Sequence, residues 1–81
     1  MTAHIYVTLK KTVLDPQGQT IQRALVSMGH PEITGVRQGK YFEMELAEGL
    51  GAAEARALLE KVAEDVLANP VIEEFRVELS D

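Results

Sequence analysis

The chain has 81 residues, no cysteine, and 13 acidic against 8 basic side chains, a formal net charge of −5. That length holds one domain, residues 1–81, burying only roughly 60–65% of the unfolded surface. The missing cysteines exclude disulfides and thiolate metal sites, and the acidic field excludes phosphate backbones as natural partners.

From Ile5 the residues alternate, with Ile5, Val7 and Leu9 on one side and Tyr6, Thr8 and Lys10 on the other, which predicts a half-buried strand extended by Val13 and Leu14. Asp15-Pro16 ends it, because proline fixes its own φ and pushes the preceding residue out of helical geometry. Asp15 suits an N-cap with Pro16 at the first helical position, although Gly18 could delay the start by two or three residues. Ile21, Ala24, Leu25 and Met28 then form an amphipathic stripe, closed by Gly29 and Pro31.

A short strand over Ile33 to Arg37 is expected to turn at Gln38-Gly39 into a second strand, Lys40 to Leu46, with Gly39 at positive φ in a hairpin turn. Ala52 to Ala68 reads as the clearest helix, its buried stripe made of Ala55, Leu58, Leu59, Val62, Val66 and Leu67. Asn69-Pro70 stops it. The last strand runs about Ile72 to Leu79, with Phe75, Val77 and Leu79 inward. The order β-α-β-β-α-β predicts an α+β, ferredoxin-like fold: a four-stranded antiparallel sheet with two helices on one face.

The other face of that sheet would carry Tyr6, Thr8, Lys10, Tyr41, Glu43, Glu45, Glu74, Arg76 and Glu78 with nothing left to cover it. Two tyrosines among charges of both signs suit either plain solvation or a polar protein contact. A core of this size supplies on the order of 3–5 kcal/mol and is usually supplemented by disulfides, metal or a partner. His4 and His30 have no paired spacing for metal, which leaves self-association. No apolar run approaches the roughly 20 residues needed to cross a bilayer. The start, Met1-Thr2-Ala3-His4, lacks a secretion pattern, so a soluble cytosolic protein is expected.

Catalytic motifs fail on their physics. Gly35-Val36-Arg37-Gln38-Gly39-Lys40 is one residue short of a phosphate loop, Tyr41 stands where Ser or Thr would hold magnesium, and the element expected next is a strand. Ser27 and Ser80 have no histidine near them in sequence, and no nucleophile elbow exists. At the Asp15-to-Gly18 corner a capping carboxylate would occupy the amides that a phosphate wants and would repel it. The corner is therefore either a hinge alone or a rigid, exposed point of contact.

The stretches "IYVTLKKTVLDPQGQTIQRAL", "MGHPEITGVRQGKYFEMEL" and "ANPVIEEFRVEL" resemble the PurS family, the small subunit of phosphoribosylformylglycinamidine synthase. The most specific pieces are Leu14-Asp15-Pro16-Gln17-Gly18, Val36-Arg37-Gln38-Gly39-Lys40 and Asn69-Pro70-Val71-Ile72-Glu73. The resemblance implies a subunit with no active site or cofactor of its own. It would assemble a glutaminase subunit with a large synthase subunit that holds ATP and magnesium, for ammonia transfer in purine synthesis. Within that frame Asp15, Pro16, Gln17 and Gly18, and the turn Arg37, Gly39, Lys40 and Tyr41, are expected to contact the larger subunits, while sheet edges, the open sheet face, or both are expected to make the chain a homodimer or dimer of dimers. The competing expectation is a regulatory domain of the amino-acid-binding type, which needs a free helix N-terminus for a carboxylate. An RNA-binding module of the same topology is opposed by the acidic balance and the missing aromatic platform.

Overall fold

A computed structural model of the chain describes residues 1–80. Three strands form one antiparallel sheet in the order β2-β1-β3. Central β1 (Thr2–Leu9) places Ile5 opposite Phe42 of β2 (Gly39–Glu45) and opposite Val77 of β3 (Glu73–Ser80). Alternation in β1 puts Ala3, Ile5 and Val7 wholly out of solvent. Helix α2 (Ala52–Val62) lies on that side, burying Ala55 and Leu59, and a wide helical turn (Ala63–Leu67) follows it. In that turn the Ala68 amide reaches back five residues to the Ala63 carbonyl at 2.8 Å, which lets Ala63 and then Leu67 join the core.

Helix α1 (Pro16–Ser27) begins where its cap chemistry dictates. The Asp15 carboxylate accepts from the Gly18 amide at 2.9 Å, so Gly18 sits in the first turn and does not delay the helix. At the other end Gly29 takes φ +97°, with its amide on the Val26 carbonyl and the His30 amide on the Leu25 carbonyl. This pair of bonds is the Schellman stop, and it needs a residue free to enter the left-handed region.

Four expectations are corrected here. Strand β1 ends at Leu9, without the extension through Val13 and Leu14. The sheet has three strands rather than four: residues 33–37 pair with no strand. After the helix stop the chain runs back along α1, with the Gln22 amide bonding the Ile33 carbonyl at 3.2 Å and Val36 packed against Gly18. Gly39 is therefore not a hairpin corner at positive φ but the first residue of β2; a Cβ there would come within 2.3 Å of the Val7 carbonyl oxygen of the neighbouring strand. The two helices also do not share one face of the sheet. Helix α2 packs against β3, whereas α1 makes no comparable contact with any strand and buries only Gly18.

Helix α1 and its return segment thus form an arm. The molecule measures 51 × 27 × 14 Å with a radius of gyration of 16.0 Å. A compact chain of this length would have about 12 Å. The arm carries its apolar stripe into solvent, with Ile21 39% and Met28 72% exposed. Helix α2 and the turn after it leave apolar residues uncovered as well: of the expected stripe Ala55 and Leu59 are buried, Val62 and Leu67 are half-buried, and Leu58 and Val66 are 48% and 75% exposed, while Ala63 joins the buried set.

Candidate functional site

The arm meets the sheet at a joint built from the two segments singled out in the sequence. Asp15 is its centre. One carboxylate oxygen caps α1 through Gly18, and the other accepts from the Gln38 amide, also at 2.9 Å, at the entrance to β2. The side chains of Gln17 and Gln38 bond each other at 2.8 Å. The Arg37 guanidinium donates to the Leu9 carbonyl and lies 3.8 Å from the Glu74 carboxylate on β3. Lys40 reaches Glu73 at 3.7 Å.

Asp15, Pro16, Gln17, Gly18, Arg37, Gly39 and Lys40 are therefore brought to one place. Tyr41 is not: it projects from the opposite face of the sheet. Gln38 and Glu73, both inside the segments that carry the resemblance, take part in the joint through contacts that no local pattern shows. Gln38 contributes a backbone amide, which no side-chain pattern advertises, and Glu73 arrives from the far end of the chain.

Electrostatics follow from these contacts. The amides of Gln38 and then Gly18, aided by the Arg37 charge, hold the Asp15 carboxyl below its ordinary value of 3.8. A carboxylate with a depressed folded value contributes stability that is present above the unfolded value and is lost as pH falls through the folded one. The arm joint should accordingly loosen only below pH 3.8. Asp15→Asn keeps an oxygen for the Gly18 amide but turns an NH2 group toward Gln38, whereas Asp15→Ala removes both acceptors. In thermal melts at neutral pH we expect Asp15→Ala to lower Tm by about 5 °C and Asp15→Asn by roughly half of that. Both should lose the Asp15 part of the acid-side slope, and an Asn variant indistinguishable from the parent at every pH would show that the Gln38 bond contributes nothing.

A shallow cleft of about 280 Å³ opens at the joint, lined by Val7, Thr8, Asp15, Gln38, Lys40 and Glu73 among others. Its polar groups are already paired with one another, and Asp15 occupies the helix N-terminal amides that an effector carboxylate would need. Among the described residues no buried polar side chain lacks a partner, and no three His, Cys, Asp or Glu residues converge. Among the described residues no helix is long and apolar enough to cross a membrane.

On the opposite face of the sheet lies a second organised cluster. His4 bonds the Tyr41 hydroxyl at 2.6 Å and the Ser80 hydroxyl at 2.9 Å through its two ring nitrogens. The Tyr6 and Tyr41 rings lie 5.1 Å apart, and the Arg76 guanidinium sits 4.5 Å above Tyr6. Desolvation, then the charge of Glu43, pushes the Tyr41 phenol up.

A three-stranded α+β sheet, with an arm set at a fixed joint and its polar groups spent on internal contacts, defines a small scaffold protein. The chain belongs to the PurS family, whose model, PurS: phosphoribosylformylglycinamidine (FGAM) synthase, matches residues 2–81. It is 42% identical over 77 residues to the phosphoribosylformylglycinamidine synthase subunit PurS of Bacillus subtilis, covering 95% of this chain and 89% of that one. The crystal structure of PurS from Methanocaldococcus jannaschii, one of the subunits of formylglycinamide ribonucleotide amidotransferase, superposes with a TM-score of 0.88 at 31% identity. That match covers 99% of this chain and 95% of the other. A chain in the structure of PurLQS from Thermotoga maritima matches with a TM-score of 0.85 at 32% identity, covering 95% and 93%.

Proposed function

We propose that this chain is the small subunit of phosphoribosylformylglycinamidine synthase, which holds a glutaminase subunit and a large ATP-dependent synthase subunit in register for ammonia transfer. The observation that carries this reading is the match of fold and sequence along nearly the whole chain to a protein that occurs in the PurLQS structure. The chemistry is assigned to the partners, with ATP and magnesium on the large subunit and no cofactor or catalytic residue here. The place of action is the cytoplasm, where purine precursors are made.

The arm gives the reading its physical content. We assign it to a homodimer in which each α1 lies on the partner, covering the apolar flank of α2 formed by Leu58, Val62 and Val66. Two helices would then cover each sheet, with one of them supplied in trans. A charged end of the body, carrying the joint of Asp15, Pro16, Gln17, Gly18, Arg37, Gly39 and Lys40, is left facing outward for the larger subunits. Pairing of two such dimers remains open to the same chain through its sheet edges.

Reconstitution tests the assignment. Mixing the purified chain with the large and glutaminase subunits of its own organism should give one co-eluting species whose glutamine-dependent amidine formation falls to background when the small chain is omitted. Full glutamine-dependent turnover without it would overturn the assignment. Ammonia-dependent turnover by the large subunit alone is expected to persist, because the synthase chemistry does not reside here.

A further inference from the structure

The sheet face turned away from α2 is laid out in rows across β2, β1 and β3: Tyr41–Tyr6–Arg76 in the middle, Glu43–His4–Glu78 beside it, and Glu74 and Glu45 at the ends. Four carboxylates therefore stand on this face. Glu74 lies 3.8 Å from Arg37, and Glu78 lies 4.0 Å from Arg76, whose guanidinium is stacked on Tyr6. Glu43 and Glu45 are left without an ion pair among the described residues, and Tyr41 is 51% exposed beside Glu43. An aromatic and arginine centre with a charged rim is the composition of a protein interface.

The charges select the occupant. A second copy of this face would oppose the unpaired Glu43 and Glu45 to their own kind, and nucleic acid or an anionic membrane would be repelled as well. The depression of about 390 Å³ on this face, lined by Tyr6, Thr8, Glu74, Phe75 and Arg76, is open to solvent and already holds the Arg76 guanidinium against Tyr6. We propose that this face docks a basic surface of another protein subunit, with an incoming arginine stacking on Tyr41 and pairing with Glu43. The inference rests on the assembly role proposed above, and it names the chemistry of the partner for a face separate from the arm and its joint.

The test uses the complete chain with the large and glutaminase subunits of its own organism, with surface plasmon resonance against each at several salt concentrations. The double variant Glu43→Lys/Glu78→Lys should bind one of them with an association rate reduced about tenfold at low salt and with a flattened salt dependence. The milder pair Glu43→Gln/Glu78→Gln should fall between, and light scattering should show self-association unchanged for both, which separates this face from the arm. Parental binding with charge reversal having no effect on rate or salt slope would overturn the inference and leave the assembly role intact. A parental chain that binds neither subunit would overturn the assembly role and the inference with it.

Discussion

Replacing Ile21 and Met28 together by glutamate should leave the chain folded but monomeric. Both side chains lie on the solvent side of the arm, 39% and 72% exposed, so within one chain the substitutions disturb little. Surface changes of that kind usually alter stability by less than about 0.5 kcal/mol. If each arm covers a partner, the same positions sit in an apolar seam, and burying two unpaired carboxylates there costs far more than association returns. Light scattering should give at least twice the chain mass of 8.9 kDa for the parent and a single chain mass for the variant, at unchanged helical circular dichroism. A variant that stays associated sinks the exchanged arm. The corresponding change on the receiving side, Val66→Glu, should give the same outcome, since Val66 is 75% exposed and touches nothing essential in its own chain.

The reason lies in how the apolar pattern of α2 is distributed. Read along the sequence, Ala55, Leu58, Leu59, Val62 and Val66 make one broad stripe, and breadth alone does not say how many neighbours share it. In the fold one neighbour, the sheet, takes Ala55, Leu59 and Ala63, Val62 is half-buried, and Leu58 and Val66 are left 48% and 75% exposed. The alternation of β1 as far as Leu9, the Asp15 cap, the Gly29 stop and the Asn69 turn are legible because each is fixed within a few residues, whereas the extension of β1 through Val13 and Leu14 is not formed. Residues 33–37 were not. Ile33, Thr34 and Val36 have strand propensity, but a strand exists only beside a partner, and the choice of partner is made by the path of the whole chain. The same holds for the joint: Asp15 as a cap is local, whereas its second bond to the Gln38 amide spans 23 residues.

Gly18→Ala should destabilise the protein even though alanine is the better helix former. At an ordinary helical position the exchange gains about 1 kcal/mol. Here a Cβ would stand 2.3 Å from the backbone carbonyl oxygen of Val36 and 2.7 Å from an Asp15 carboxylate oxygen. The first of these atoms belongs to the main chain of the return segment, so relief requires that segment to move away from α1. Overpacking of this kind costs typically 1–3 kcal/mol, and the displacement also stretches the bond between Asp15 and Gln38. The loss should exceed the gain, with a Tm lower by about 5–10 °C. Gly35→Ala is the matched control, because nothing lies within 4 Å of its added Cβ and its φ is not positive. It should be neutral or raise stability by about 0.4–1 kcal/mol through the unfolded chain. Since Gly18 fixes how closely the return segment hugs the helix, its substitution should also weaken self-association, the arm being delivered to its partner at the wrong angle. Equal or higher Tm for Gly18→Ala, with association intact, would mean that the contact between α1 and Val36 is not what aims the arm.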